Sequence, residues 1–199
     1  MEDNNIRFSE NVILIDVAFL NEIVFSIKNT LETRLGRKLP HVDLPAWLSY
    51  LVLDSGLRDK DNEVEVILVH DQVSHTLNCC EPSALDNLDN MACRTPLGEF
   101  LFSSVSSSGI VSAEDLYLDL MNLALNSADV KCLMLLPFHP SYSEKVEDAL
   151  YDFFKGKNEE ERKKAVYFTM EEPLKSVCCR CERVFYSLAH AFGINSDDL

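Results

Sequence analysis

The sequence predicts a three-layer α/β/α fold built on a mainly parallel, five-stranded sheet. Two observations carry that expectation. Several short apolar runs are continuous rather than alternating, as strands buried on both faces require. Between them lie segments whose apolar residues recur every three or four positions, as in amphipathic helices. Strands alternating with helices imply right-handed crossovers and a sheet covered on both sides.

Asn11 to Val17 (NVILIDV) is the first such strand. Leu20, Ile23, Val24, Ile27 and Leu31 form the stripe of the following helix, which Gly36 can stop. A second helix follows Pro40, with Asp43 as N-cap and Leu44, Trp47, Leu48, Leu51 and Val52 inward; Gly56 ends it. Val64 to His70 is the second strand. Asp71 to Pro96 reads as irregular, with a helix over Cys79 to Met91 at most. A third strand spans Glu99 to Ser103, and a serine-rich loop over 103–108 leads to Ser112.

Ser112 and Asp115 have capping-box spacing, opening a helix through Leu116, Leu120, Leu123 and Ala124. Val130 to Leu136 is the fourth strand, and Ser141 with Glu144 repeats the capping pattern before Val146, Ala149, Leu150 and Phe153. Ala165 to Thr169 is the fifth strand. From Pro173, a last helix is expected through Leu174, Val177, Cys181, Val184, Phe185, Leu188 and Phe192, closed by Gly193. With no linker or internal repeat, residues 1–199 read as a single domain.

The 18 basic and 33 acidic residues give a net charge of −15, which disfavours nonspecific binding to RNA or DNA, where Lys and Arg supply most of the grip. The densest basic stretch, Lys155, Lys157, Arg162, Lys163 and Lys164, is interrupted by Glu159, Glu160 and Glu161 and reads as a solvated helix end or loop. No apolar run approaches the ~20 residues that span a bilayer, and the opening residues lack a signal-peptide pattern. A cytoplasmic protein with no membrane partner is expected. Seven cysteines, an odd number, read as reduced thiols.

In a parallel sheet, ligands bind beyond the carboxyl ends of the strands. The first strand delivers Asp16, the second His70 and Asp71, and the fourth His139 in the run PFHPSY. An acid ending a buried apolar strand is costly unless it is hydrogen-bonded, paired, solvated or metal-bound. Asp16 therefore has two readings: a cap for the next helix, with Asp16 or Asn21 accepting N–H bonds, or a binding or catalytic group. Asp115 and Asp119 share a helix face, where two like charges cost roughly 0.2–0.5 kcal/mol if exposed. A magnesium or manganese ion between them and Asp16 would remove that cost. Against that, the capping box accounts for Asp115 and solvent for Asp119. His139 could act as a base or ligand, and Asp71 is better suited to forming a turn. Cys178, Cys179 and Cys181, with Cys79 and Cys80, lack the spacing of a zinc frame and suit a buried apolar role. Phosphate-loop, dinucleotide-fold, nucleophile-elbow and zinc-protease signatures are absent.

Two segments resemble the NYN branch of the PIN-like nucleases: VILIDVAFLNEI at 12–23, and SAEDLYLDLMNLALNSADVKCLMLLPFHPSYSEKVEDAL at 112–150. The resemblance implies a sheet of order 3-2-1-4-5 and an acidic pocket in which magnesium or manganese cleaves RNA. By position, Asp16 matches the family's first-strand acid and Asp115 its acid at the helix start, so both are implied metal ligands. After the fourth strand the family has a serine-glycine-Asp-x-Asp-like run, and here Pro137 to Tyr142 supplies neither acid. The expectation is a catalytically degenerate PIN-like domain that binds a protein, peptide or small ligand through residues such as Asp71, Asn21 and His139. The alternative is a ribonuclease with a rearranged site using Asp16, Asp115 and Asp119.

Overall fold

The computed structural model describes residues 7–109, 111–173 and 175–194. In chain order the elements are β1 (Asn11–Asp16), α1 (Val17–Leu35), β2 (Val42–Asp43), α2 (Leu44–Asp54), β3 (Asn62–His70), β4 (Cys80–Glu81) and α3 (Leu85–Leu88). Then come β5 (Ala92–Thr95), β6 (Gly98–Ser106), α4 (Ala113–Asn126), β7 (Cys132–Leu136) and α5 (His139–Phe154). The chain continues through α6 (Glu159–Arg162), β8 (Ala165–Thr169), β9 (Arg180–Arg183) and α7 (Val184–Ala191). The main sheet has seven strands, not five, in the order β5-β6-β3-β1-β7-β8-β9. All pairings in it are parallel except β5 with β6. A second, two-stranded sheet joins β2 to β4.

The central strands bury both faces, and that divides the core. Ile13 and Ile15 of β1 pack with α1, α2 and α7 on one side. Val12 and Leu14 pack with α4 and α5 on the other. This alternation along one strand is the period-two geometry of β-structure, and it makes three layers. No helix among the described residues is long and apolar enough to cross a membrane.

Several helix ends form as their residues dictate. Asp16 caps α1, Asp43 accepts the Ala46 N–H at 3.0 Å, and Ser112 accepts the Asp115 N–H at 3.0 Å. Gly36 ends α1 at φ 65°, a left-handed conformation that glycine adopts without penalty. Gly98 is required more strictly, because a Cβ there would lie 2.1 Å from the Asn62 carbonyl oxygen on the adjoining strand.

Four sequence expectations are corrected. The last helix does not begin at Pro173: Arg180–Arg183 is an edge strand beside β8, and only Val184–Ala191 is helical. The apparent stripe mixed two cores, since Val177 packs with α4 and α5 while Val184 and Leu188 pack on the opposite face of the sheet. Leu174 lies outside the described residues. Cys79 to Met91 is not a helix but a bend with one turn, α3. Pro82 and the Asn/Asp residues break the helical ladder, and Leu77, Cys80, Leu85 and Leu88 are buried as separate anchors. The third strand continues through Ser106, so four of the six residues of the expected serine loop are paired with β3. Finally, α5 starts at His139 rather than after Ser141. Its cap is the Phe138 backbone, whose carbonyl accepts the Ser141 and Tyr142 N–H groups at 3.0 and 3.2 Å. Pro140 favours this early start, and the axis kinks at Tyr142 (φ −138°, ψ 23°).

Candidate functional site

The connection leaving β1 runs over one face of the sheet through α1, and the one entering β7 runs over the other through α4. Between the carboxyl ends of β1 and β7 lies the point where such sheets open a crevice. A cavity of about 370 Å³ lies between the start of α1, the start of α5 and the segment after β8. That is within the range of small-molecule sites.

Asp16, at the carboxyl end of β1, does not line this cavity and is closed off. It is 3% exposed. One carboxylate oxygen accepts the N–H groups of Ala18 (2.8 Å) and Phe19 (3.2 Å), and the other accepts the Tyr142 hydroxyl at 2.6 Å. Burial raises its pKa above the usual carboxylate range, the three donors oppose that rise, and the charge of Asp71 adds to it. The hydroxyl is aimed by packing: the Tyr142 ring lies 5.6 Å from Tyr117, whose own hydroxyl donates to the Leu14 carbonyl. Of the two cap candidates, Asp16 does the capping. Asn21 instead lies inside α1, where its side chain donates to the Thr76 carbonyl (2.7 Å) and accepts the Asn78 N–H (2.9 Å).

Those two bonds tie the segment after β3 to α1. Asn21→Ala is expected to lose about 1–2 kcal/mol and to open residues 71–79 to proteolysis and amide exchange before the rest of the chain.

The other candidate acids do not gather with Asp16 into a donor cluster, although the Asp71 charge reaches it. Asp115 is exposed, accepts the Ser112 hydroxyl at 2.8 Å, and lies near the Lys145 ammonium, which is ion-paired with Glu114. Asp119 is exposed on the same helix. Asp71 accepts the Val73 and Ser74 N–H groups at 2.8 and 2.6 Å, which closes a turn and holds its pKa down. Among the described residues, no three His, Cys, Asp or Glu side chains are grouped so as to hold a metal ion. The donor set implied by the nuclease resemblance therefore does not fit a magnesium or manganese site. All seven cysteines are free. The basic stretch is engaged locally, with Lys163 paired to Glu160, Lys157 over the Phe153 ring and Lys164 donating to the Ser127 carbonyl.

His139 does line the cavity. Its ring lies edge-on to Phe19 (4.7 Å between centroids) and beside Tyr167 (5.3 Å). Burial lowers its pKa to about 4, although the Phe168 carbonyl pulls the other way, so the ring is neutral at pH 7.

Other residues around the cavity were missed by sequence reasoning. Phe19, Ile23 and Met170 give it apolar walls, and Glu22, Glu147, Glu171 and Glu172 surround them. Thr169, at the end of β8, is 3% exposed and also lines the cavity. The rule that points to strand ends reaches Thr169, Glu171 and Glu172 once it is carried on to β8. Tyr142 lay in the PFHPSY run but gave no signal that it would reach Asp16.

Fold and site together define an α/β protein with a ligand-sized crevice at the switch point of a mostly parallel sheet. The chain belongs to the family of unknown function DUF6621, whose profile it matches over residues 5–199. No curated protein and no solved structure matches it.

Proposed function

We propose that the chain is a PIN-like domain whose nuclease site is dismantled, working as a binding module through the crevice beside Asp16. The observation that carries this reading is the closure of Asp16, which is buried, caps α1 and is covered by the Tyr142 hydroxyl. A carboxylate held in this way serves the fold and cannot swing out to a scissile phosphate. Lys145 supports the same reading, because it brings a cation to the helix start where a nuclease would gather acids. The neighbouring strands β6-β3-β1-β7-β8 support the PIN-like order 3-2-1-4-5, with β5 and β9 as added edges. Free thiols at all seven cysteines are compatible with a cytoplasmic setting.

The competing reading is a metal-dependent ribonuclease using Asp16, Asp115 and Asp119. Single-turnover incubation with single-stranded and hairpin RNA, in magnesium or manganese, decides between them. No cleavage above the buffer rate is expected. Cleavage that Asp16→Asn abolishes would overturn the proposal.

A further inference from the structure

We infer that Ser104 and His70 form a nucleophile–base pair at the carboxyl ends of β6 and β3, able to take an acyl group from a small activated ester. The pair stands apart from the crevice, since neither residue lines it, and it does not depend on the binding-module reading. Geometry is the first ground. The Ser104 hydroxyl lies 3.0 Å from Nε2 of His70, and Nδ1 of the same ring lies 2.8 Å from the Asp71 main-chain carbonyl oxygen. A carbonyl can only accept, so Nδ1 carries the proton and Nε2 presents a lone pair. The Ser104 hydroxyl therefore donates to Nε2, the direction in which a general base takes a proton. Nucleophile, base and orienting group thus stand in one chain of hydrogen bonds, with a main-chain carbonyl as the third member.

The second ground is how firmly the pair is held. β3 and β6 are parallel neighbours, with Leu68 opposite Ser104 and His70 opposite Ser106, so both residues project from one face at one end of the sheet. The His70 carbonyl accepts the Ser107 N–H at 2.9 Å. The Asp71 carboxylate accepts the Val73 and Ser74 N–H groups, which fixes the turn that presents its carbonyl to the ring. That carboxylate is held ionised chiefly by the Ser74 N–H, with His70 adding to the effect, so an imidazolium formed at His70 meets a negative charge. Ser104 and His70 are both partly exposed, which lets a small ester reach them. In the reaction, Oγ of Ser104 bonds to the ester carbonyl carbon while its proton passes to Nε2. The bond to the leaving oxygen then breaks, and that oxygen takes the proton from His70. Water, giving its proton to Nε2, frees the acid from the acyl-serine by the same steps. The Ser104 N–H already donates to Asp89 at 2.8 Å, so it does not serve an oxyanion. That restricts the substrate to esters with a good leaving group and sets amides aside.

The test uses the full chain with p-nitrophenyl acetate and with a fluorophosphonate probe, the modified residue being mapped by peptide mass spectrometry. The wild type is expected to release nitrophenolate and to carry the probe on Ser104, fluoride leaving as the serine oxygen bonds to phosphorus. Ser104→Ala should abolish labelling at this position and the nitrophenolate release that depends on it. His70→Gln, which keeps a polar side chain beside Ser104, should slow both reactions about a hundredfold. Circular dichroism establishes that each variant is folded, and where one is not, the residue labelled in the wild type decides alone. No labelling of the folded wild type, labelling confined to other residues, or Ser104 labelling at an unchanged rate in His70→Gln would overturn the assignment.

Discussion

Trp47→Ala is expected to destabilise the fold by about 3–5 kcal/mol, the largest loss from any single substitution considered. Trp47 is fully buried in the core shared by α1, α2 and α7. Its indole N–H donates to the Ser187 hydroxyl at 3.1 Å, and that hydroxyl donates to the Val184 carbonyl at 2.9 Å. Alanine would leave a cavity and remove the hydrogen bond that links α2 to α7 through Ser187. Because α1 shares this core, the loss would also loosen one wall of the crevice. Urea unfolding followed by circular dichroism measures the effect, since the chain's single tryptophan is the residue being removed. Trp47→Phe, which keeps most of the volume, should cost clearly less. Equal losses in the two variants would mean that the cavity is not the cause.

The second large effect concerns the site. Tyr142→Phe should cost about 1.5–3 kcal/mol at pH 7, the range for a lost hydrogen bond to a charged group. The removed hydroxyl donates to a carboxylate oxygen of Asp16 at 2.6 Å, with both side chains buried. The pH dependence follows from the direction of the Asp16 shift. Its folded-state pKa is raised above the ordinary 3.8, with burial as the leading cause. A raised carboxyl pKa contributes stability that is fully present below 3.8 and is lost as pH rises through the folded value. The Tyr142 hydroxyl lowers that folded pKa, so it limits the loss in wild type. Without it, the penalty of Tyr142→Phe should be greatest where Asp16 is ionised and should shrink in acid. Unfolding titrations between pH 4 and 8 measure this. A difference that stays flat across the range would show that the hydroxyl does not act on the Asp16 charge.

The same residues show what could be read from the sequence. The continuous apolar runs located the core strands because they are too short for a buried helix and are bounded by polar residues. Asp16, Asp43 and Ser112 were legible as cap candidates because capping is local chemistry. The errors lie where tertiary context overrides a local period. The spacing of Val177, Cys181, Val184 and Leu188 mimics a helix, yet a sheet edge runs through it and sends its ends to opposite cores. With Pro140 in its first turn, α5 starts three residues before the Ser141 pattern suggested.

At the site, the strand-end rule found Asp16 and His139 but could not foresee their environments. Tyr142 is 126 residues from Asp16 in sequence, and it donates its hydroxyl from the kink in α5. Asp115 and Asp119 share a helix, as their spacing demands, but that spacing says nothing of whether the helix faces Asp16. Thr169 is an ordinary polar strand end until burial is known.

The central claim is that Asp16 is a buried structural carboxylate rather than a metal ligand. Calorimetric titration of Mn²⁺ into the wild-type chain and into Asp16→Asn, each confirmed folded by circular dichroism, tests it most directly. The account predicts identical titrations, with no binding event that depends on Asp16. Saturable binding in the wild type that disappears in Asp16→Asn would contradict it and restore the nuclease reading.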